Sequence, residues 1–342
     1  MKELTLEKRI FYLGLFTAVF TLAVFLRVHA LDRIPGINGD EAFPTVQMRE
    51  MTWGHPVQLW VPTQRLLSPI YAGLVLAVQY FREDFSLLTI RLPAAFSGLL
   101  LLVLSALLLR KCVARQPFVI SLVFIAAFPM AIAYSRSAVE QSLMGVAGLV
   151  CIYFALMGRW KETMFSFLAS LLVHPVNVFL LPILIAPLIT HEWLKPTPLK
   201  KKATLILGFF FLFSLMLVGL LSTLPPEYSY LNILSVARYL FSEPLNAVVD
   251  LGRFYLYYVR LFSGVTAFEY FANPTPDRWT FIVDILFSGA IAALFLFGAR
   301  RLWNEKQYLP FSFVLGLCIS LLCFFVAAGP RALAPGLSRH AN

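Results

Sequence analysis

Long apolar blocks constrain this chain more than any other feature. They fall near 10–28, 67–81, 88–109, 117–133, 137–157, 163–173, 175–190, 202–223, 279–299 and 307–327. Most run roughly 15 to 22 residues, and about 20 apolar residues in a helix cross the ~30 Å hydrocarbon core of a bilayer. A soluble domain carries about 25% charged residues, whereas this chain carries 13%, with 59% hydrophobic. No soluble core buries that much apolar surface. In hydrocarbon, backbone polar groups must be satisfied internally, in helices or closed barrels, and blocks of this length fit spanning helices rather than the roughly 10-residue strands of a barrel. The expected fold is therefore all-α, a polytopic transmembrane helical bundle. Block 10–28 is longer than a signal-peptide apolar region and closes on Arg27, Val28 and then His29 rather than on small residues, so it reads as a span.

Lysine placement orients the bundle. Lys2, Lys8, Lys111, Lys161, Lys195, Lys200, Lys201, Lys202 and Lys306 all fall in the N-terminus and in segments 110–116, 158–162, 191–202 and 300–306. By the positive-inside rule these segments are cytoplasmic, and so is the N-terminus. The same bias accounts for the net charge of +10 without a nucleic-acid partner.

This orientation sends 10–28 outward and 88–109 inward. Segment 67–81 lies between them with both flanks on the outer side, so it is expected as a short outer helix that does not span. Blocks 163–173 and 175–190, split by His174-Pro175, read as a helical hairpin with its tip outward. About nine crossings result, with the C-terminus outside. No internal repeat or low-complexity tract is apparent, and residues 1–342 read as a single domain. Cys112, Cys151, Cys318 and Cys323 sit in or beside apolar blocks without metal-ligand spacing, so neither a disulfide nor a zinc site is expected.

Chemistry gathers on the outer side. The first outer loop reads Ile34-Pro35-Gly36-Ile37-Asn38-Gly39-Asp40-Glu41. Asp40 suits the N-cap of a helix starting at Glu41. The pair equally suits a general base, or a site for a divalent cation, at the mouth of a membrane cavity. Arg91, Arg136 and Arg331 stand at outer span ends on a side with no lysine. An arginine at a span end can snorkel; it can also bind phosphate bidentately and keep its charge when desolvated. Glu140 stands one turn after Arg136, at the i,i+4 spacing of an ion pair, and His174 at the hairpin tip is either a turn residue or a phosphate contact. Asp284 within a span is either hydrogen-bonded structure or a site residue. The mixed segment 224–278 is rich in tyrosine, as an interfacial belt or a sugar-stacking platform would be.

These residues, in this order, resemble the GT-C glycosyltransferase superfamily, in particular protein O-mannosyltransferases and aminoarabinose transferases. The shared pattern is an outward first span, then the acidic pair Asp40-Glu41. The proline-aromatic segment Ser68-Pro69-Ile70-Tyr71 and the run Arg91-Leu92-Pro93-Ala94-Ala95-Phe96-Ser97-Gly98 follow. Pro129, Tyr134, Ser135, Arg136 and Glu140 come next, and Arg331 with Pro335 closes the set. The resemblance covers roughly residues 10–190 and the end more loosely. It implies a membrane enzyme that moves a sugar from a polyprenyl-phosphate lipid to a glycan, lipid or protein acceptor on the outer face of the cell membrane. Asp40 would be the catalytic carboxylate with Glu41 beside it, and Arg91, Arg136 and Arg331 would hold the donor phosphate. Glu140, His174 and Tyr71 are further site candidates. The chain has Gln64-Arg65-Leu66-Leu67 where relatives carry a His or Glu, which leaves metal dependence open; a divalent metal is the one cofactor to consider. Relatives continue past the final arginine-proline motif, so a shortened or partial member is implied. A transporter or flippase for a lipid-linked or anionic solute is the alternative from another class, and it predicts broken helices and paired inverted repeats.

Overall fold

The computed structural model describes residues 6–34, 68–112, 115–194, 242–260 and 278–328, with positions 41–42, 45–46, 48–49, 60–61, 65–66 and 208. The described chain is helical, apart from one two-residue antiparallel pair, Trp60–Val61 with Arg65–Leu66. Three helices are long and apolar enough to cross a membrane, over Ile10–Val28, Leu87–Arg110 and Ile282–Asn304. The chain divides into two compact units, residues 1–149 with 172–174, and residues 150–171 with 175–342.

In the first unit, α1 (Leu6–Val28), α3 (Leu87–Cys112) and α4 (Arg115–Ala127) pack through Val19 and Ala23, Leu102 and Ala106, and Leu122 and Ala126. The helices are apolar on most faces rather than along one stripe. Small residues set how closely they approach. Gly98 shows this: a Cβ there would run into Ser135 Cβ and lie 3.1 Å from Arg27 Nε. Arg27 Nη1 donates to Ala126 O, 2.9 Å, so α1 and α4 end side by side. Arg91 Nη1 donates to Leu31 O, 2.9 Å, which puts the start of α3 at that same end.

Helix α2 (Pro69–Arg82) is built by strong local signals. Ser68 caps it by accepting the Tyr71 N–H, Pro69 opens it, and Glu83 ends it in a left-handed conformation, φ 57°. At 14 residues and 1.5 Å per residue it is shorter than the hydrocarbon core. Near its start the Tyr71 hydroxyl donates to Ile90 O at 2.8 Å, and at its end Arg82 Nε donates to Thr89 Oγ1 at 3.0 Å. Both ends of α2 therefore reach one turn of α3, so it lies across the start of α3. The connecting turn is held by Asp84, which accepts from the Ser86 hydroxyl at 3.1 Å and from the Thr89 hydroxyl.

The expected helix over 117–133 is in fact two. Pro129 lacks the N–H that would bond to Ile125 O, so α4 stops at Ala127 and α5 (Pro129–Ser135) begins afresh. The helix expected from 137 starts later, as α6 (Gln141–Leu156), because Ser137–Glu140 form a turn. After α7 (Trp160–Val173), Pro175–Leu180 form a 3₁₀ helix before α8 (Leu181–Leu194).

The second unit is centred on α8 and α11 (Tyr308–Ala328). Ser312, Gly316 and Ser320 recur every four residues along α11. A Cβ at Gly316 would lie 2.7 Å from Pro182 O and 2.9 Å from Ile183 Cα, so the two backbones touch. Helix α9 (Pro244–Arg260) lies within the mixed segment 224–278 and docks on α11 by a 2.8 Å bond from the Tyr255 hydroxyl to Cys318 O. On α10 (Arg278–Asn304) only a narrow stripe is buried, including Asp284 and Ser288, while residues such as Leu286 and Phe297 are exposed. Cys151, Cys318 and Cys323 are free thiols. Of block 202–223, only position 208 is among the described residues.

Candidate functional site

At the end of the first unit where α1 and α4 finish and α3 starts, six of the eight candidate residues come together. Arg91 lies in the first turns of α3, with Pro93 two residues on. Its Nε and Nη2 each donate to Glu41, to Oε1 and Oε2 respectively, both at 2.6 Å. Both side chains are wholly inaccessible to solvent. Glu41 Oε1 also accepts the Ala138 N–H, 2.8 Å. The carboxylate therefore sits in a cradle of three donors, contributed by α3 and by the turn before α6. A bidentate pair with a third hydrogen bond is the geometry that offsets desolvation of two buried charges.

Arg136 follows α5, and its guanidinium points at the chain leaving α1. Nη1 donates to Leu26 O at 2.8 Å, Nη2 to His29 O at 2.6 Å and to Ile34 O at 2.8 Å, and Nε to Ile34 O at 3.2 Å. A longer contact, 3.3 Å, reaches Ala30 O. A cation at a helix C-terminus meets carbonyls that have no intrahelical partner, which both sides favour. Burial, and secondarily the charge of Arg91, lowers the Arg136 pKa from its ordinary value.

Tyr71 is buried between these charges. Burial, then the carboxylates of Glu41 and Glu140, holds its phenol well above the ordinary value, and Arg91 works the other way. Glu140 Oε1 stands 3.8 Å from His174 Nε2, tying the tip at residues 172–174 to this cluster. Burial pushes the His174 imidazole down to about 4. At neutral pH it is uncharged, so its contact with Glu140 is not an ion pair. The Ser68 hydroxyl reaches Leu172 O at 3.5 Å, a second and weaker tie to the same tip.

Asp40 and Arg331 lie outside the described residues. Among the described residues no three His, Cys, Asp or Glu side chains gather as metal ligands would. Asp284 belongs to the second unit and is fully buried.

One member of the site's surroundings was not legible as such. Arg27 is fully buried, and Nη1 donates to Ala23 O at 3.2 Å as well as to Ala126 O. Its Nε and Nη2 have no hydrogen-bond partner among the described residues. The signal in the sequence was an arginine in the last turn of an apolar block, which reads equally well as snorkelling. The Ala138 N–H and Leu31 carbonyl are backbone groups, and no side-chain motif announces them.

Compared with protein-family models, with curated proteins and with solved structures, the chain matches none.

Proposed function

We propose that the protein is a multi-pass membrane glycosyltransferase that moves a sugar from a polyprenyl-phosphate donor to an acceptor on the non-cytoplasmic face. The observation that carries this reading is the convergence of Glu41, Tyr71, Arg91, Arg136, Glu140 and His174. Five of them, Glu41, Tyr71, Arg91, Arg136 and Glu140, belong to an ordered set of motifs resembling the GT-C superfamily, His174 stands at the expected hairpin tip, and the six are scattered over more than a hundred positions. They pack as one buried, charged cluster at a common helix end. Ionisable groups buried in a membrane protein are costly and mark working sites.

In the proposed reaction an acceptor hydroxyl oxygen attacks the anomeric carbon of the donor sugar. Asp40 takes the hydroxyl proton, the bond from the anomeric carbon to the phosphate oxygen breaks, and the polyprenyl phosphate leaves with the electron pair. In-line displacement inverts the anomeric centre. The resemblance assigns the phosphate to Arg91, Arg136 and Arg331, where preorganised positive charge would meet the developing anion. The forks of Arg91 and Arg136 are themselves engaged by Glu41 and by backbone carbonyls, so their positive charge acts from behind those contacts. Both Glu41 oxygens are taken by Arg91, so this geometry offers no Glu41 ligand to a divalent metal at the acidic pair.

About nine crossings, a cytoplasmic N-terminus and a non-spanning α2 complete the reading. The lysine distribution supports the orientation, and the short length of α2 and its two ties to one turn of α3 support its non-spanning role. The purified chain in lipid nanodiscs, given a polyprenyl-phosphate-linked sugar and envelope acceptors, should release polyprenyl phosphate and label an acceptor. Release equal to that of a protein-free disc would reject the enzyme reading.

A further inference from the structure

Arg91 and Arg136 share a target that is not a ligand. Arg136 gathers the carbonyls of Leu26, His29 and Ile34, with Ala30 at longer range. Arg91 takes Leu31 O with one arm and both Glu41 oxygens with the rest of its fork. Two guanidinium groups therefore hold the turn after α1 and the acidic residue of the next segment. The turn needs such support. Ala30 adopts φ 49°, a left-handed conformation that a non-glycine residue keeps only when its surroundings impose it. An anion arriving at Arg91 would meet a carboxylate already seated in the three-donor cradle.

We propose that Arg91 and Arg136 are positioning residues, which clamp the turn after α1, through Ile34, and the Glu41 side chain, and thereby set the position of Glu41 in the site. The proposal rests on the glycosyltransferase reading for its catalytic consequence, but the clamp itself is testable without it. A phosphate ligand and a clamp differ in what a lysine can replace. An ammonium keeps the charge and can still attract a phosphate, but it lacks the planar fork that reaches several carbonyls at once.

The test is Arg136→Lys in the full chain, in nanodiscs, with two readouts. The first is amide hydrogen exchange over residues 29–34, where the N–H groups of Leu31, Arg33 and Ile34 are bonded within the turn. The clamp predicts about ten- to a hundredfold faster exchange there, the effect of losing charge-assisted hydrogen bonds, with α8 and α11 unchanged. Unchanged exchange over 29–34 would overturn it. The second readout is transfer from a polyprenyl-phosphate sugar. The clamp predicts a fall in kcat with the donor KM within about twofold, since the lost contacts act on catalytic geometry rather than on ground-state binding. A donor KM raised tenfold or more at unchanged kcat would overturn the proposal in favour of a phosphate ligand. If the variant does not fold, the wild-type protein decides: the clamp requires the Leu31, Arg33 and Ile34 amides to be protected like the last turn of α1, and free-peptide exchange there would overturn it. Absence of transfer by the wild-type protein would sink the enzyme reading alone, leaving the exchange result to decide the clamp.

Discussion

Glu41→Ala should be among the most destabilising single substitutions in the first unit. The change removes both acceptors of the Arg91 fork and the acceptor of the Ala138 N–H. Arg91 is fully buried and would keep only the Leu31 carbonyl among its bonds described above. Breaking a buried pair from one side costs about 3–5 kcal/mol, because the surviving charge stays desolvated. The orphaned amide is part of that loss, since a buried unsatisfied donor alone costs about 1–3 kcal/mol. Glu41→Gln keeps the shape and one acceptor oxygen, and should cost about half as much or less. Glu41→Leu with Arg91→Met removes both charges, and should recover most of the loss seen in Glu41→Leu alone. Thermal unfolding of the detergent-solubilised chain, followed by size-exclusion of the surviving fraction, would rank the four variants. If Glu41→Ala loses less than about 1 kcal/mol, the two side chains are not a dry pair and the described cluster is wrong.

Three other outcomes are expected. Gly98→Ala and Gly316→Ala should each destabilise by about 1–3 kcal/mol through overpacking, the first against Ser135 and the second against the α8 backbone, as thermal unfolding would register. Arg27→Met should be neutral or stabilising by up to about 4 kcal/mol, since it replaces a buried and partly unbonded cation by an apolar chain of similar length; a marked loss would mean that Arg27 Nε and Nη2 are hydrogen-bonded in the folded protein. His174 should make stability pH-dependent: its folded pKa is pushed down to about 4 from 6.5, so between these values the unfolded chain binds more protons. Its contribution is complete above pH 6.5 and is lost as pH falls from there towards 4, and unfolding of His174→Gln measured across that window should show a flatter slope.

Much of the helical layout was readable because apolar length is a strong signal. Helix α3 over Leu87–Cys112 and α11 over Tyr308–Ala328 fall within three residues of their apolar blocks at either end. Apolarity says nothing about breaks within a block, so the restart at Pro129 was missed even though the proline itself was plain to see. Helix α9 was hidden in a mixed segment because one of its faces is polar and its period is diluted by tyrosines. Candidate site residues were legible as types at span ends. Their pairings were not: Glu41 and Arg91 are 50 positions apart, and nothing local links a carboxylate to that guanidinium rather than to Arg136. The five contacts of Arg136 all go to backbone carbonyls, which carry no side-chain signature.

Mass spectrometry of glycolipids and surface glycans tests the central claim most directly. The comparison is a deletion strain of the source organism complemented with the wild-type chain or with Asp40→Asn. Asparagine caps a helix nearly as well as aspartate, so the variant should reach the membrane at normal abundance. It loses the proton-accepting charge, which as a general base contributes about 10² to 10⁴-fold to rate. The account predicts one sugar modification that is absent in the deletion strain, restored by the wild-type chain and almost absent with Asp40→Asn. No difference in any glycan between the deletion and wild-type strains, or full restoration by Asp40→Asn at equal abundance, would contradict it.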